Sequence, residues 1–516
     1  MTLRIVLYSS GVTANQQLTD YLSNHQGLTI STYYPGGLYG RCSFFIPGGI
    51  RDPQLISGGK RIEIFDGLHS VWEGEIDNTI PSTDGKQEGL LIECTGYWGA
   101  LFKRRRWNKF WVDTRLTQDQ WVFGNEAGQF TVNRIDFIKM IPNSKTFATG
   151  DDCRVTYTAP ESTLIKRITY DYDLFQGTPT VEDWHIGCID SDTGGTLFGS
   201  SKAVSGTGSF DGTITAGCGS IYVELRASSN FKADIDNGAY GKWSNIRVSS
   251  ELGTISLSEV MKDIREHVTE VSSDETHIAT NNLVIGPIFM TWETIGDFME
   301  KLSSYGDSTY NPWSIGVLGS RAAGTPNGKP VVYYEQYPAS SSYEYIVRLE
   351  DLVNSVSLGK MYDEIYNYII VSRTDENGET VYYTPETYPN LKSTTSISYY
   401  GQRDYLLKLG SIGEADALNY GYRFRAINAS PKWRLSGSLQ VKGMIRSATS
   451  MQIPVSWVRA GKYIMVENFL QEANGSDIKM LITSTSYDET ADTVTINVGS
   501  PDPLEVLAVH LKEGIA

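Results

Sequence analysis

Gly461-Lys462-Tyr463-Ile464-Met465-Val466-Glu467-Asn468 opens the stretch whose reading decides the fold. Ile464 and Val466 alternate with Tyr463, Met465 and Glu467, the two-residue period of a half-buried strand. A second strand is predicted over 479–485 and a polar turn over 488–492. A third strand, Thr493-Val494-Thr495-Ile496-Asn497-Val498, alternates strictly and stops at Gly499. Alternation interrupted by polar turns predicts a three-stranded antiparallel meander. The same order occurs near the N-terminus. Gly59-Lys60-Arg61-Ile62-Glu63-Ile64-Phe65-Asp66 matches 461–468 in its Gly-Lys pair, its isoleucine and its terminal Asp/Asn. A strand around 72–76, a polar stretch 82–85 and Leu90-Leu91-Ile92-Glu93-Cys94 complete it, ending at Gly96. Glycine-led amphipathic strands resemble one another in general. The alternative is one β-module used twice.

Composition bounds the rest. A chain of 516 residues, 40% hydrophobic and 20% charged, has enough apolar surface for several domains. Its 50 glycines and 31 tyrosines, with few long helical patterns, favour β structure with many turns. A net charge of −16 argues against a general nucleic-acid binder. Cys42, Cys94, Cys153, Cys188 and Cys218 form no CxxC pair and no metal spacing with histidine, so reduced, buried thiols in a protein made in a cytoplasm are expected. No signal peptide and no run of roughly 18 apolar residues is visible.

In chain order, residues 1 to about 110 read as strands, with Pro35-Gly36-Gly37 and Pro47-Gly48-Gly49 as turns, inside a first module of 1–150 with its loops. The run Lys103-Arg104-Arg105-Arg106, beside Trp107 and Trp111, could bind phosphate. A solvated or protein-facing loop fits an acidic chain better. Residues 151–250 are rich in Gly, Ser and Thr around short strands, which predicts an inserted β-sandwich. That segment resembles the jelly-roll modules that bind carbohydrate, and Tyr172, Trp184, Tyr240 and Trp243 could stack on a sugar ring. Filling the sandwich core is the plainer role for each. Asp234-Ile235-Asp236-Asn237-Gly238 lacks EF-hand spacing and reads as a turn. Residues 251–340 hold the clearest helices: one capped by Ser256-Leu257-Ser258-Glu259, and one started by Thr291 with Trp292, Ile295, Met299 and Leu302 on one face. Residues 341–516 return to β structure, with a turn at 375–378 and a helix capped by Ser411-Ile412-Gly413-Glu414, its face marked by Leu418, Tyr422 and Ala426.

The C-terminal motifs run in a telling order. They are Ser396-Ile397-Ser398-Tyr399-Tyr400-Gly401-Gln402-Arg403-Asp404-Tyr405, the capped helix, Pro431, Val441-Lys442-Gly443, Arg459-Ala460-Gly461-Lys462, and Leu481-Ile482-Thr483-Ser484-Thr485-Ser486-Tyr487-Asp488. This order resembles the C-terminal half of bacteriophage tail hub proteins, a family that includes baseplate hubs, tail-tip hubs of long flexible tails and the hub half of type VI secretion spikes. Pro35-Gly36-Gly37-Leu38-Tyr39-Gly40-Arg41-Cys42-Ser43-Phe44, with Ile64-Phe65-Asp66-Gly67 and Val71-Trp72-Glu73-Gly74, resembles the first barrel of that family.

The resemblance implies a mainly β (α+β) fold with two tail-tube-like β-barrel modules, 1–150 and 341–516. Between them stand the inserted jelly-roll-like sandwich, 151–250, and a small α+β domain, 251–340. It implies a structural virion protein of the tail tip or baseplate, a homotrimer whose ring caps the tail tube and surrounds the DNA exit channel. The sandwich and the α+β domain would lie outside the channel wall. Partners would be the tail tube or distal tail protein ring, central spike, fibre or tip proteins and the tape measure protein. Viral DNA would pass an acidic lumen without specific binding. A host-glycan adhesin working through 151–250 and a cell-wall hydrolase are the rivals. The six histidines are scattered, there is no Gly-x-Ser-x-Gly, and Glu73 and Glu75 read as solvated faces, so no catalytic residue, cofactor or metal is expected.

Overall fold

The computed structural model describes residues 3–499 apart from short segments. The longer of these are 35–38, 49–55, 126–129, 177–183, 198–201, 229–237, 321–327, 338–342, 375–378 and 468–477. The turns expected at Pro35-Gly36-Gly37, at Gly49 and at 375–378, most of the 234–238 turn, and the expected cap Ser411 lie outside the described residues. The chain divides into two compact units. One comprises Met1–Arg106, Leu257–Leu283 and Thr294–Ala516; the other comprises Trp107–Ser256 and Val284–Glu293.

Both predicted meanders form in the first unit. Arg61–Asp66, His69–Thr83 and Glu88–Gly96 pair antiparallel in succession, as do Tyr463–Glu467, Ile478–Asp488 and Thr493–Gly499. The echo in sequence is a repeat in structure. Gly59 and Gly461 adopt φ of 80° and 82°, a region that residues with a Cβ resist. Gly59 N–H donates to the Ile76 carbonyl at 2.8 Å and Ile76 N–H donates to the Lys60 carbonyl at 3.0 Å. Gly461, Ile482 and Lys462 repeat the two bonds at 2.9 Å each. The registers also coincide: Arg61 opposes Glu75 and Tyr463 opposes Leu481, each two residues after the glycine and one before the isoleucine. One residue beyond that isoleucine the middle strand bulges, between Ile76 and Asn78 and between Ile482 and Ser484. A bulge fixed by a paired glycine clamp sets the local bend of the sheet.

The two meanders belong to one 14-stranded sheet, joined where Gln26–Tyr33 pairs antiparallel with Ile478–Asp488. Ile62, Ile64, Trp72, Ile92, Ile464, Val466, Ile482 and Ile496 are buried in one shared core. Each residue of this size contributes about 1.5–3 kcal/mol on burial.

Of the first two expected helices, one starts where the sequence places it and the other starts later. Leu257–His267 begins as expected and buries Leu257, Val260, Met261 and Ile264. The next helix is Ile295–Ser304; its cap is Thr294, whose side chain accepts from Asp297 N–H at 3.2 Å. The expected cap Thr291 and Trp292 lie instead in the strand Ile288–Thr294, and Trp292 has φ of 53°, which no helix accommodates. The helix Glu414–Asn428 has Gly413 at its N-cap position. It buries Ala417, Tyr420, Gly421 and Phe424, a stripe one or two residues away from the expected Leu418, Tyr422 and Ala426.

In the second unit, a four-stranded and a six-stranded sheet enclose a core that contains Ile168, Leu174, Ile221, Val223 and Val248. Trp121–Asn125, Phe130–Asn133 and Ile138–Pro142, assigned from sequence to 1–150, pair with Asp152–Thr158, with one another and with Tyr240–Ser249. The sandwich therefore draws on strands that precede residue 151.

Candidate functional site

The seam between the meanders is the first candidate. Thr29 opposes Asp488 and Tyr33 opposes Ser484 along the ladder. Thr32 and Thr485 join hydroxyls at 2.6 Å. At one end Glu489 receives three groups of the N-terminal module. Its carboxylate accepts from Leu3 N–H at 3.0 Å and lies 3.0 Å from His25 Nε2, and its own N–H donates to the Leu28 carbonyl at 2.9 Å. Burial alone would lower the His25 pKa, but its bonds to Glu489 and to the Leu22 carbonyl, with the Glu489 charge, raise it. Burial alone would raise Glu489; His25 and Leu3 hold it below the usual carboxylate range. The seam thus combines a ladder of backbone bonds with a pH-sensitive ion pair.

The second candidate is a buried ionic cluster on the far face of the first meander. Glu63 and Glu73 stand directly opposite each other and are both 0% exposed. Like charges so placed repel, and each carries a large desolvation cost. Arg61 answers both, at 3.8 Å from Glu63 and 3.2 Å from Glu73. It also donates to Ser320 Oγ at 2.8 Å and to the Gly328 carbonyl at 3.2 Å, and Tyr8 donates to Glu63. The expectation that Glu73 and Glu75 form a solvated face is corrected. Glu73 is enclosed, and burial raises the Glu75 pKa. Alternation places Glu73 opposite the apolar core, but a second layer covers that face too. The cluster ties the first meander to the segment holding Ser320 and Gly328 of the same chain, and its geometry is that of a structural clamp.

The basic run is also a clamp. Lys103 pairs with Asp297 at 2.6 Å and with Glu300 at 2.5 Å, Arg104 pairs with Asp77 at 2.5 Å, and Arg105 pairs with Glu270. These cations already meet carboxylates of the same unit, as the protein-facing reading expects. Among the described residues no group of three or more His, Cys, Asp or Glu side chains could hold a metal ion. Cys42, Cys94, Cys153, Cys188 and Cys218 are buried and unbridged.

The four expected sugar-stacking residues separate. Trp184 and Trp243 are 0% exposed core residues, Trp184 packing edge-on to Phe147 with ring centroids 4.7 Å apart. No ring face is open to a ligand there, so these two leave the candidate set. Tyr172 is half-buried against the same core. Tyr240 differs. It opposes Phe175 on the side of the six-stranded sheet that alternates with the core residues Gly241 and Trp243. Its hydroxyl donates to Asp173 Oδ2 at 2.7 Å, which together with burial raises its pKa, and Lys139 Nζ lies 3.9 Å from its ring centroid. Nearby, Asp171 accepts from Ser209 at 2.6 Å and from Asn245 at 2.7 Å. Phe175, Asp171 and Asp173 escape a reading of the sequence because a strand pattern does not say which of its two faces looks outward.

No family model and no curated protein matches this chain. Among solved structures it is similar to a tail protein from Neisseria meningitidis MC58, with 8% identity over 98% of this chain and 99% of that chain, TM-score 0.46. It is also similar to the 43 kDa tail protein of prophage MuSo2 from Shewanella oneidensis, with 12% identity over 97% and 99% of the two chains, TM-score 0.42. Over 27% of its length it is similar to the xylan binding module CBM86 from Roseburia intestinalis, with 15% identity, 95% of that module covered and TM-score 0.19. At TM-scores below 0.5 these likenesses assign no function to the chain.

Proposed function

We propose that this chain is a structural hub of a phage tail tip or baseplate and works by geometry rather than catalysis. The supporting observation is the duplicated meander, with the same glycine clamp, register and bulge in both copies, joined inside one sheet through the strands Tyr39–Pro47 and Gln26–Tyr33. A sheet that grows by joining like modules leaves an unpaired edge at each end, and such edges are satisfied by a neighbour or by closure. Closed cyclic symmetry is the usual solution in homo-oligomers. Three copies supply six module positions, the number of a six-membered tail-tube ring in the family the sequence resembles. The ring would meet the tail tube or distal tail protein on one side and the spike, fibre or tape measure proteins on the other. Viral DNA would pass through the lumen, and a lining rich in Asp and Glu would avoid the counterion release that makes DNA binding tight. The native oligomeric state tests this reading, with a trimer expected.

A second reading, host-glycan binding, is favoured by one observation, the Tyr240 face with its neighbouring Phe175, Asp171 and Asp173. An aromatic ring flanked by carboxylates offers both stacking and hydroxyl recognition. A glycan array with the full chain tests it: saturable binding lost in Tyr240→Ala supports the reading, and a blank array removes it.

A further inference from the structure

The outer face of the six-stranded sheet is divided by charge. Two lysines stand on one side. Lys139, on Ile138–Pro142, directly opposes Lys242, on Tyr240–Ser249. The pairs that flank them, Ile138 with Trp243 and Met140 with Gly241, are buried, so alternation turns both lysines to the outer face. Like charges placed directly opposite repel. Each ammonium rests on a ring of the other strand's side: Lys139 Nζ lies 3.9 Å from the Tyr240 ring centroid, and Lys242 Nζ lies 4.2 Å from that of Phe137. Such contacts hold an ammonium without cancelling its charge. Asp173 opposes Lys242 from the next strand, but its Oδ2 takes the Tyr240 hydroxyl.

The carboxylates stand on the other side. Asp171 and Asp173 belong to Ile165–Phe175, and Asp211 to the neighbouring Gly206–Cys218. Arg167 holds Asp211 with two bonds, at 2.8 and 3.0 Å. Asp171 and Asp173 accept only from neutral donors, Ser209, Asn245 and Tyr240. An ionised carboxylate has about four acceptor sites, so these two keep room for further hydroxyls and repel an anion. Phe175 and Tyr240, ring centroids 5.8 Å apart, stand beside both halves. A ligand that suits the whole face offers hydroxyl donors on one side and a negative group on the other. A nucleic-acid strand does not, because its evenly spaced phosphates would also meet Asp171 and Asp173.

We infer that this face binds an acidic glycan, a sugar chain that carries a carboxylate or a phosphate. The anionic group sits between Lys139 and Lys242 and relieves their repulsion, ring hydroxyls donate to Asp171 and Asp173, and the ring packs against the Phe175–Tyr240 pair. This rests on the host-glycan reading of the same face and adds the class of sugar. Neighbouring strands lie about 4.8 Å apart, so the reach from Asp173 through Lys242 to Lys139 is about 10 Å, a distance that one or two sugar rings span.

The test is a glycan array of matched pairs probed with the full chain: polygalacturonate and its methyl ester, sialyllactose and lactose, phosphomannan and mannan. Signal is expected on acidic members only, and the pairs tell a carboxylate from a phosphate. Titration of the strongest acidic member follows. Lys139→Gln and Lys242→Gln are each expected to weaken it about tenfold or more, the usual scale for a hydrogen bond to a charged group. Their melting temperatures should hold or rise, because each removes a repulsion, so the loss is not one of folding. Added salt should weaken the unsubstituted chain and leave the double variant nearly unaffected. Signal on the neutral partners equal to or above that on the acidic ones would overturn the inference and leave the host-glycan reading standing; a blank array would remove both. Equal affinity for polyphosphate or single-stranded DNA would reduce the face to bare ion attraction and overturn the inference, as would acidic binding kept in the double variant.

Discussion

Replacing the clamp glycines separates two physical costs that the repeat combines. At Gly59 an added Cβ meets nothing within 4 Å, so Gly59→Ala carries only the backbone cost of φ near 80°. That cost is about 1–2 kcal/mol. At Gly461 the backbone cost is the same, but the Cβ would lie 2.6 Å from Tyr34 Cδ2 and 2.9 Å from its Cε2. Tyr34 is buried and cannot swing away freely. Overpacking of this kind adds about 1–3 kcal/mol. Gly461→Ala should therefore cost about 1–3 kcal/mol more than Gly59→Ala. Global unfolding of a chain with two units is not two-state, so the readout should be local. Hydrogen exchange at the Ile76 and Ile482 amides, which donate to the Lys60 and Lys462 carbonyls, reports each clamp separately. In a Tyr34→Ala background the excess cost at Gly461 should vanish, because the obstructing ring is gone. If Gly461→Ala loosens its clamp no more than Gly59→Ala does, or if Tyr34→Ala leaves the excess intact, the packing argument is wrong.

Three further outcomes are expected. The raised His25 pKa means that its share of seam stability is complete below the unfolded value near 6.5 and is lost as pH rises through the folded value. The lowered Glu489 pKa means that its share is present above the unfolded value near 4.5 and is lost as pH falls through the folded value. Exchange protection of the Gln26–Tyr33 ladder should therefore peak between these two values, and His25→Gln should flatten the peak. Trp184→Ala should cost about 3–5 kcal/mol as a large cavity in a packed core, read as a lower melting temperature of the sandwich. Arg104→Ala should change neither DNA retention nor its salt dependence in a gel-shift assay, since Arg104 already pairs with Asp77.

What is legible in the sequence is whatever one strand can say about itself. Strict alternation over 493–498 and the Gly-Lys openings locate both meanders, because period and turn chemistry are local. The repeat is visible there only as eight residues of similarity; shared register and bulge emerge once the middle strands are paired. Glu73 is misread from sequence because its partners are remote: Arg61 lies on the neighbouring strand and Ser320 is 247 residues away. Trp184 and Trp243 are ambiguous for a related reason. A strand pattern separates two faces, but it does not say which one meets the second sheet. The helix start moves from Thr291 to Thr294 because Asp297 is placed to receive that cap and Trp292 is committed to a strand.

The central claim is a closed ring in which the two meander modules alternate. Cryo-electron microscopy of the native assembly, with symmetry left free during reconstruction, tests it most directly. The account predicts three copies related by a threefold axis. The module around Arg61–Asp66 of one copy should lie beside the module around Tyr463–Glu467 of the next, and six meanders should line one channel. A ring of six chains with one meander each in the wall, or a chain that stays monomeric in the assembled particle, would contradict it.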